Sequence, residues 1–217
     1  MSNYTNSTNI LGLDCSHWQN SIDWAKAKAD GIHFAFVKIT EGDYHFEGNY
    51  YSLKARCQEI KKQGIKLGYY HFCTPGHIPD PVENAKIEAQ KFIKHLADLP
   101  ESDLPLVLDC ESYPGFPDCY NVPVIWPKNG LTKYMQTFIS ELNKEVIIYT
   151  NKWIWTDKEN FKIYPLWVPD YSGKEKLAMP VGWTNWDIWQ FTEKGNINGI
   201  AARVDLNWMK KEYFEKY

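Results

Sequence analysis

Short apolar runs alternate with stretches of helical periodicity along most of this chain, and that alternation restricts the fold more than any other feature. Ile10 to Asp14 reads as a strand, and Trp24 to Asp30 as a helix that Gly31 can end in a left-handed cap. His33 to Thr40, carrying Phe34, Phe36, Val37 and Ile39, is a second strand. Leu53, Cys57 and Ile60 recur at i, i+4 and i+7 on a helix that stops at Gly64, and Ile65 to Phe72 returns as a strand. Glu83 to Ala97 is the clearest helix, with Ala85, Ala89, Phe92, Ile93 and Leu96 on one face. Met135, Phe138, Ile139 and Leu142 mark another, followed by a strand from Val146 to Tyr149. Alternation on this scale predicts a parallel sheet with helices outside it.

Beyond Tyr149 the pattern changes. Pro165 to Val168, Trp186 to Phe191 and Arg203 to Leu206 read as strands, but Gly and Pro rather than long helices connect them. The count is five β/α units and then three strands, and eight strands can close into a barrel that leaves no exposed edge. With 217 residues, no internal repeat and no low-complexity linker, a single α/β domain over residues 10–217 is the economical reading, preceded by a polar tail over 1–9.

Chemistry enters at Leu104-Pro105-Leu106-Val107-Leu108-Asp109-Cys110-Glu111, an apolar run that ends in two acids. Periodicity alone does not separate a buried strand from a helical segment here. On a strand, Asp109 and Glu111 share a face, their Cα atoms roughly 6.5–7 Å apart, and Cys110 takes the other. Two carboxyls at the mouth of an apolar strand can be driven to different pKa values and divide proton transfer between them. The competing reading is a strand end with two solvated acids. In a barrel, reactive groups sit where strands pass into loops. Reading each strand to its C-terminal end gives Asp14, Thr40 with Glu41, His71, Asp109 with Glu111, Tyr149, Asp170 with Tyr171, Gln190 and Asp205. Acids recur at that one rim.

The net charge of −3 and pI near 6.1 offer no basic patch for nucleic acid. Five cysteines without a C-x-x-C pair, and no regular spacing with the histidines, argue against a metal site and for reduced, buried thiols. No D-x-D-x-D-G loop or phosphate-cradling glycine motif is present, and no cofactor is expected. No run reaches the roughly 18–20 apolar residues of a membrane helix, so membrane insertion is not expected. Met1 to Asn9 lacks the basic start and apolar core of a secretory signal, so synthesis in the cytosol and release by another route are expected.

In this layout the chain resembles the family 25 glycoside hydrolases, the Chalaropsis-type lysozymes found among phage endolysins and bacterial autolysins. The matching segments run from Gly12-Leu13-Asp14-Cys15-Ser16-His17-Trp18-Gln19 and Ile22-Asp23-Trp24 to Phe34 through Gly42 and Gly68-Tyr69-Tyr70-His71-Phe72. They continue through Leu106 to Glu111, Ile147 to Thr150, Leu166-Trp167-Val168 and Trp189-Gln190, and end at Gly199 and Val204 to Asn207. The resemblance implies an irregular (β/α)5β3 TIM-like barrel. It also implies hydrolysis of the β-1,4 bond between N-acetylmuramic acid and N-acetylglucosamine in peptidoglycan. By matching position it assigns Asp14, Asp109, Glu111 and Asp205 to the catalytic carboxylates, with Glu111 as general acid and retention of configuration. Three details of the barrel sequence depart from the family pattern: Cys110 stands where a small aliphatic is usual, Val168-Pro169-Asp170-Tyr171 replaces a stretch that usually carries Ala before the Tyr, and Ser112 to Gly130 is longer than that connection typically is, so it forms either a groove wall or a rigid ornament.

Asp109 is expected to stay ionised and either attack the sugar carbon or brace the substrate's 2-acetamido group as internal nucleophile. Tyr70, Tyr149, Trp167, Tyr171 and Trp189 offer faces for sugar stacking, and Gln190 a polar tip for acetamido groups, against the alternative that each simply packs the core. Lys38 with Glu41 reads as an ion pair, and His17 and His71 as structural. The rival readings are a chitinase-like barrel and a non-catalytic wall-binding module. The working form is expected to be a monomer.

Overall fold

The computed structural model describes residues 4–19, 21–43, 45–46, 50–111, 129–152, 161–173 and 176–217. Its strands are β1 (Asn9–Cys15), β2 (Phe34–Glu41), β3 (His45–Phe46), β4 (Lys66–Phe72), β5 (Leu106–Asp109), β6 (Val146–Tyr149), β7 (Leu166–Pro169), β8 (Ile188–Gly195) and β9 (Val204–Lys210). The helices are α1 (Trp24–Ala29), α2 (Tyr50–Lys62), α3 (Pro81–Leu96), α4 (Gly130–Leu142) and the short α5 (Lys211–Phe214). Sheet order is β1-β9-β8-β7-β6-β5-β4-β2, with β3 paired outside β2, and β1 also pairs β2. Eight strands therefore close into the expected barrel. A helix follows each of β1, β2, β4 and β5 in sequence, and residues 153–160, between β6 and β7, lie outside the described residues.

Closure differs from an all-parallel sheet in one respect. β9 runs antiparallel to both β8 and β1, whereas β1–β2, β2–β4, β4–β5, β5–β6, β6–β7 and β7–β8 are parallel. The expected last strand also stopped too early. Asp205, Asn207 and Met209 alternate with Val204, Leu206 and Trp208 along β9, and the polar Asn207 interrupts the apolar run without ending the strand. Within the expected tail, residues 4–9 make defined contacts. Asn6 Oδ1 accepts from the Thr8 and Asn9 amides, Tyr4 rests on Phe191, and Asn9 already belongs to β1.

Side-chain alternation sorts the core into two layers. Leu11, Leu13, Ala35, Val37, Leu67, Tyr69, Leu106, Leu108, Ile148 and Val168 face the helices. Phe34, Phe36, Tyr70, Val107, Ile147, Tyr149, Trp167, Ile188 and Met209 fill the barrel. Two glycines make room for the phenylalanines: a Cβ on Gly12 would lie 2.4 Å from the Phe34 ring, and one on Gly68 2.2 Å from the Phe36 ring. Helix starts follow local chemistry. Asp80 caps α3, its carboxylate accepting from the Val82 and Glu83 amides at 2.8 and 2.9 Å, with Pro81 in the first turn. That Asp-Pro pair moves the helix start two residues ahead of the Glu83 expected from periodicity.

Candidate active site

The same alternation that stacks rings in the barrel delivers acids to its mouth. On β5, Val107 points inward, so Asp109 does too, and one pleat later Glu111 follows, although the strand itself ends at Asp109. Cys110 lies on the opposite face among Leu106 and Leu108. Gly12 precedes Asp14 on the inner face of β1. Asp205 reaches the rim differently from the sequence expectation. It sits near the start of β9, and the antiparallel course places it directly opposite Asp14. A chamber of about 330 Å³ opens here, lined by Asp14, Asp109, Glu111 and Asp205 together with Lys38, Tyr70, Tyr149, Trp167, Tyr171 and Gln190. Ser16, Trp18, Phe72 and Glu193 complete the lining.

Crowding four carboxyls into one chamber makes ionising all of them costly, and each is raised. Burial lifts Glu111 to about 7, with the charge of Asp14 adding to it and Lys38 opposing. Burial and the Asp14 charge push Asp205 up to about 8, and the two carboxyls hydrogen-bond each other. Asp14 is raised by burial despite accepting from Asn207 Nδ2 at 2.8 Å and Gln190 Nε2 at 3.0 Å. Asp109 is raised well above the usual range, by burial first and then by Glu111 and Asp14. Its Oδ1 is buried and has no hydrogen-bond partner among the described residues. Burial and the neighbouring acids thus work against an ionised Asp109, and the charge of Lys38 works for it.

The aromatic expectations divide. Tyr70, Tyr149 and Trp167 are buried and line the chamber from the barrel side, while Tyr171 is 47% exposed at its edge. Trp167 is held by its Nε1 donating to Asn207 Oδ1 at 2.8 Å and by the edge of Tyr149. Trp189 does not belong to the site. It falls on the outward position of β8, donates Nε1 to the Asp170 carbonyl and packs against Trp186 and Phe191. The residue that does point inward is its neighbour Gln190. Its Oε1 accepts from the hydroxyls of Tyr149 (2.9 Å) and Tyr171, and its Nε2 donates to Asp14. An amide so engaged orients Asp14. Asp170 braces its own loop, accepting from the Ser172 and Ala178 amides.

Lys38 and Glu41 form the expected ion pair, 2.8 Å apart and buried. A register shift in β2 between Lys38 and Thr40 makes it possible. Lys38 stays on the chamber side, while the Thr40 hydroxyl meets His71 Nδ1 at 2.8 Å. His71 is structural: its Nε2 donates to Glu88 Oε2 at 2.8 Å, and Glu88 also accepts from Tyr134, Thr74 and Asn84. Burial alone would raise the Glu88 carboxyl, but the bonds from His71, Tyr134 and Thr74 hold it below its ordinary value.

The sequence reading missed Lys38, Ser16, Trp18, Phe72 and Glu193 as parts of the chamber. Lys38 could have been found from the inward alternation of Phe34 and Phe36, and Phe72 from that of Gly68 and Tyr70; Ser16 and Trp18 lie on a loop and Glu193 past a register shift in β8, where periodicity carries no signal. Cys15, Cys57, Cys73 and Cys110 are buried free thiols, and burial raises the last three. Among the described residues no group of three or more His, Cys, Asp or Glu could hold a metal ion. Ser112 to residue 128, expected to form either a groove wall or an ornament, lies outside the described residues.

Comparison with known proteins places this site in context. Over 212 residues, 93% of this chain and 68% of the relative, the sequence is 28% identical to lysozyme M1 of Streptomyces globisporus. It is 24% identical over 207 residues to the N,O-diacetylmuramidase of Chalaropsis sp, covering 90% of this chain and 96% of that one. Among solved structures, a family 25 glycosyl hydrolase from Bacillus anthracis superimposes with a TM-score of 0.76 at 26% identity, spanning all of this chain and 96% of its own. The profile of glycosyl hydrolases family 25 matches residues 13–200. With its acids gathered at the mouth of an eight-stranded barrel, the chain belongs to glycosyl hydrolase family 25.

Proposed function

We propose that this glycoside hydrolase is a peptidoglycan muramidase that cuts the β-1,4 bond between N-acetylmuramic acid and N-acetylglucosamine, with Glu111 as general acid. The observation that carries the reading is the convergence of Asp14, Asp109, Glu111 and Asp205 on one open chamber. Glycoside hydrolysis needs a proton for the departing oxygen and negative charge near a carbon that becomes cation-like. Glu111, held at about 7, still carries its proton close to neutrality.

Asp109 suits the second role. Its unpartnered Oδ1 is placed to accept from the N–H of a bound 2-acetamido group. That bond favours the ionised form and opposes the burial that raises Asp109. The acetyl oxygen, so oriented, attacks the sugar carbon from the far face as the bond to the leaving oxygen breaks and the Glu111 proton passes to that oxygen. Water then opens the cyclic intermediate and returns a proton to Glu111, so configuration is retained. Asp14 and Asp205, sharing a hydrogen bond, supply compensating charge, and Gln190 with Asn207 fixes Asp14.

Purified walls test the proposal. Glu111→Gln should clear them about 10²–10⁴-fold more slowly than the parent chain while keeping its circular dichroism spectrum. Mass spectrometry of fragments from the parent should show new reducing ends on N-acetylmuramic acid. Reducing ends on N-acetylglucosamine, or near-normal clearing by Glu111→Gln, would overturn it.

A further inference from the structure

Trp18 is an oddity among the large apolar side chains. It is 74% exposed although it stands at the edge of the acidic chamber. A ring of that size is ordinarily drawn out of water, since burying it removes roughly 150–250 Å² of surface. The turn that carries it is not loose. Arg56, reaching across from α2, donates Nη1 to the Ser16 carbonyl at 2.9 Å and Nη2 to the Gln19 carbonyl at 2.8 Å, gripping the turn on both sides of the indole. The Gln19 side chain accepts from the Ser16 amide at 3.1 Å and donates to the Arg203 carbonyl at 3.0 Å, which ties the turn to the residue preceding β9. The Ser16 hydroxyl accepts from the Trp18 amide at 3.3 Å, and the His17 ring lies against the indole with centroids 4.6 Å apart.

Resting on the muramidase reading above, we propose that Trp18 is an outer saccharide subsite, a stacking platform for a sugar ring of the glycan strand beyond the cleaved bond, and that Arg56 and Gln19 are its positioning residues. The chemistry fits a glycan in particular. A pyranose presents an apolar C–H face to an indole and directs its hydroxyls sideways, toward polar groups such as Glu193 that line the same chamber. Fixing the turn beforehand reduces the ordering cost that a mobile tryptophan would impose on binding. Tyr171, the other exposed aromatic of the lining, has its hydroxyl committed to Gln190, so Trp18 is the ring whose placement depends on its own turn.

Steady-state kinetics on soluble glycan strands of defined length test the subsite. Trp18→Ala should raise KM about tenfold on long strands, the size of one aromatic stacking contact, with a much smaller effect on the shortest cleaved oligosaccharide. Trp18→Tyr should restore most of the loss. Arg56→Ala should reproduce part of it, and the double variant Trp18→Ala/Arg56→Ala should be no worse than Trp18→Ala alone, because both act through one ring. Sedimentation of Glu111→Gln with walls, with and without Trp18→Ala, reads binding where there is no turnover, and Trp18→Ala should weaken it. Unchanged KM and unchanged sedimentation in the Trp18→Ala variants, beside a parent chain that clears walls, would sink the subsite and leave the muramidase reading standing. A parent chain that clears no walls would sink both.

Discussion

In the proposed reading Glu111 is the general acid, and its environment predicts a pH profile. The protonated acid is the competent form, so kcat/KM should fall about tenfold per pH unit above about pH 7. Initial rates on walls at constant ionic strength between pH 4 and 9 would read the limb; a rate still rising above about pH 8 would exclude Glu111 as the acid. Lys38 is part of that setting, since its charge opposes the rise at both Glu111 and Asp109. The pairing of Asp109 with Glu111 was legible because two acids at spacing two on a strand must share a face. The outward course of Trp189 was equally available from alternation, because Gln190 beside it points inward to Asp14. Aromatic character near a strand end outweighed register in that reading, and register is what the backbone obeys.

Strands were placed well where they are short apolar runs buried on both faces, and helices where one face is apolar and the other is not. The two interior glycines show how strictly the barrel then constrains sequence. Gly68→Ala should destabilise the fold by about 1–3 kcal/mol, because the added Cβ at 2.2 Å from the Phe36 ring forces rearrangement of a filled interior. Urea titration followed by tryptophan fluorescence measures this, and a neutral result would mean that Phe36 has room to move. Phe36 has little, since Trp167 lies 4.8 Å away and Phe34 5.9 Å away on the same inner face. Segments with neither an apolar run nor an apolar face escaped the sequence reading. β3 is two residues long, and the second half of β9 carries the polar Asn207.

At the level of the whole molecule, the raised acids couple stability to pH. Asp205 rises from 3.8 to about 8 and Glu111 from 4.5 to about 7, so the folded chain holds protons that the unfolded chain releases. Stability is therefore unaffected by these groups below about pH 4 and falls as pH rises through the window to about 8. Glu88 has the opposite sign. Held below its ordinary value, it stabilises above that value and loses its contribution on acidification. The thermal midpoint should accordingly peak near about pH 5 and decline toward pH 8, and Asp205→Asn should flatten the decline. Calorimetry across that range checks it; a midpoint at pH 8 unmoved by Asp205→Asn would show that the burial of Asp205 carries no cost. A barrel that keeps such a cost at its mouth is consistent with an active site there, where acids are held for chemistry and not for folding.

The order of strands and helices, the closure of eight strands and the rim position of Asp14, Asp109 and Glu111 follow from the sequence, because periodicity and alternation are local and the backbone's geometry reads them residue by residue. Direction of the last strand, the facing of Asp205 with Asp14, the flip of β2 at its bulge and the grip of Arg56 on the Trp18 turn were settled only by the folded chain. These depend on contacts between residues far apart in sequence, such as Arg56 with Ser16 or Asn207 with Asp14, whose strength comes from burial and proximity that no single segment possesses.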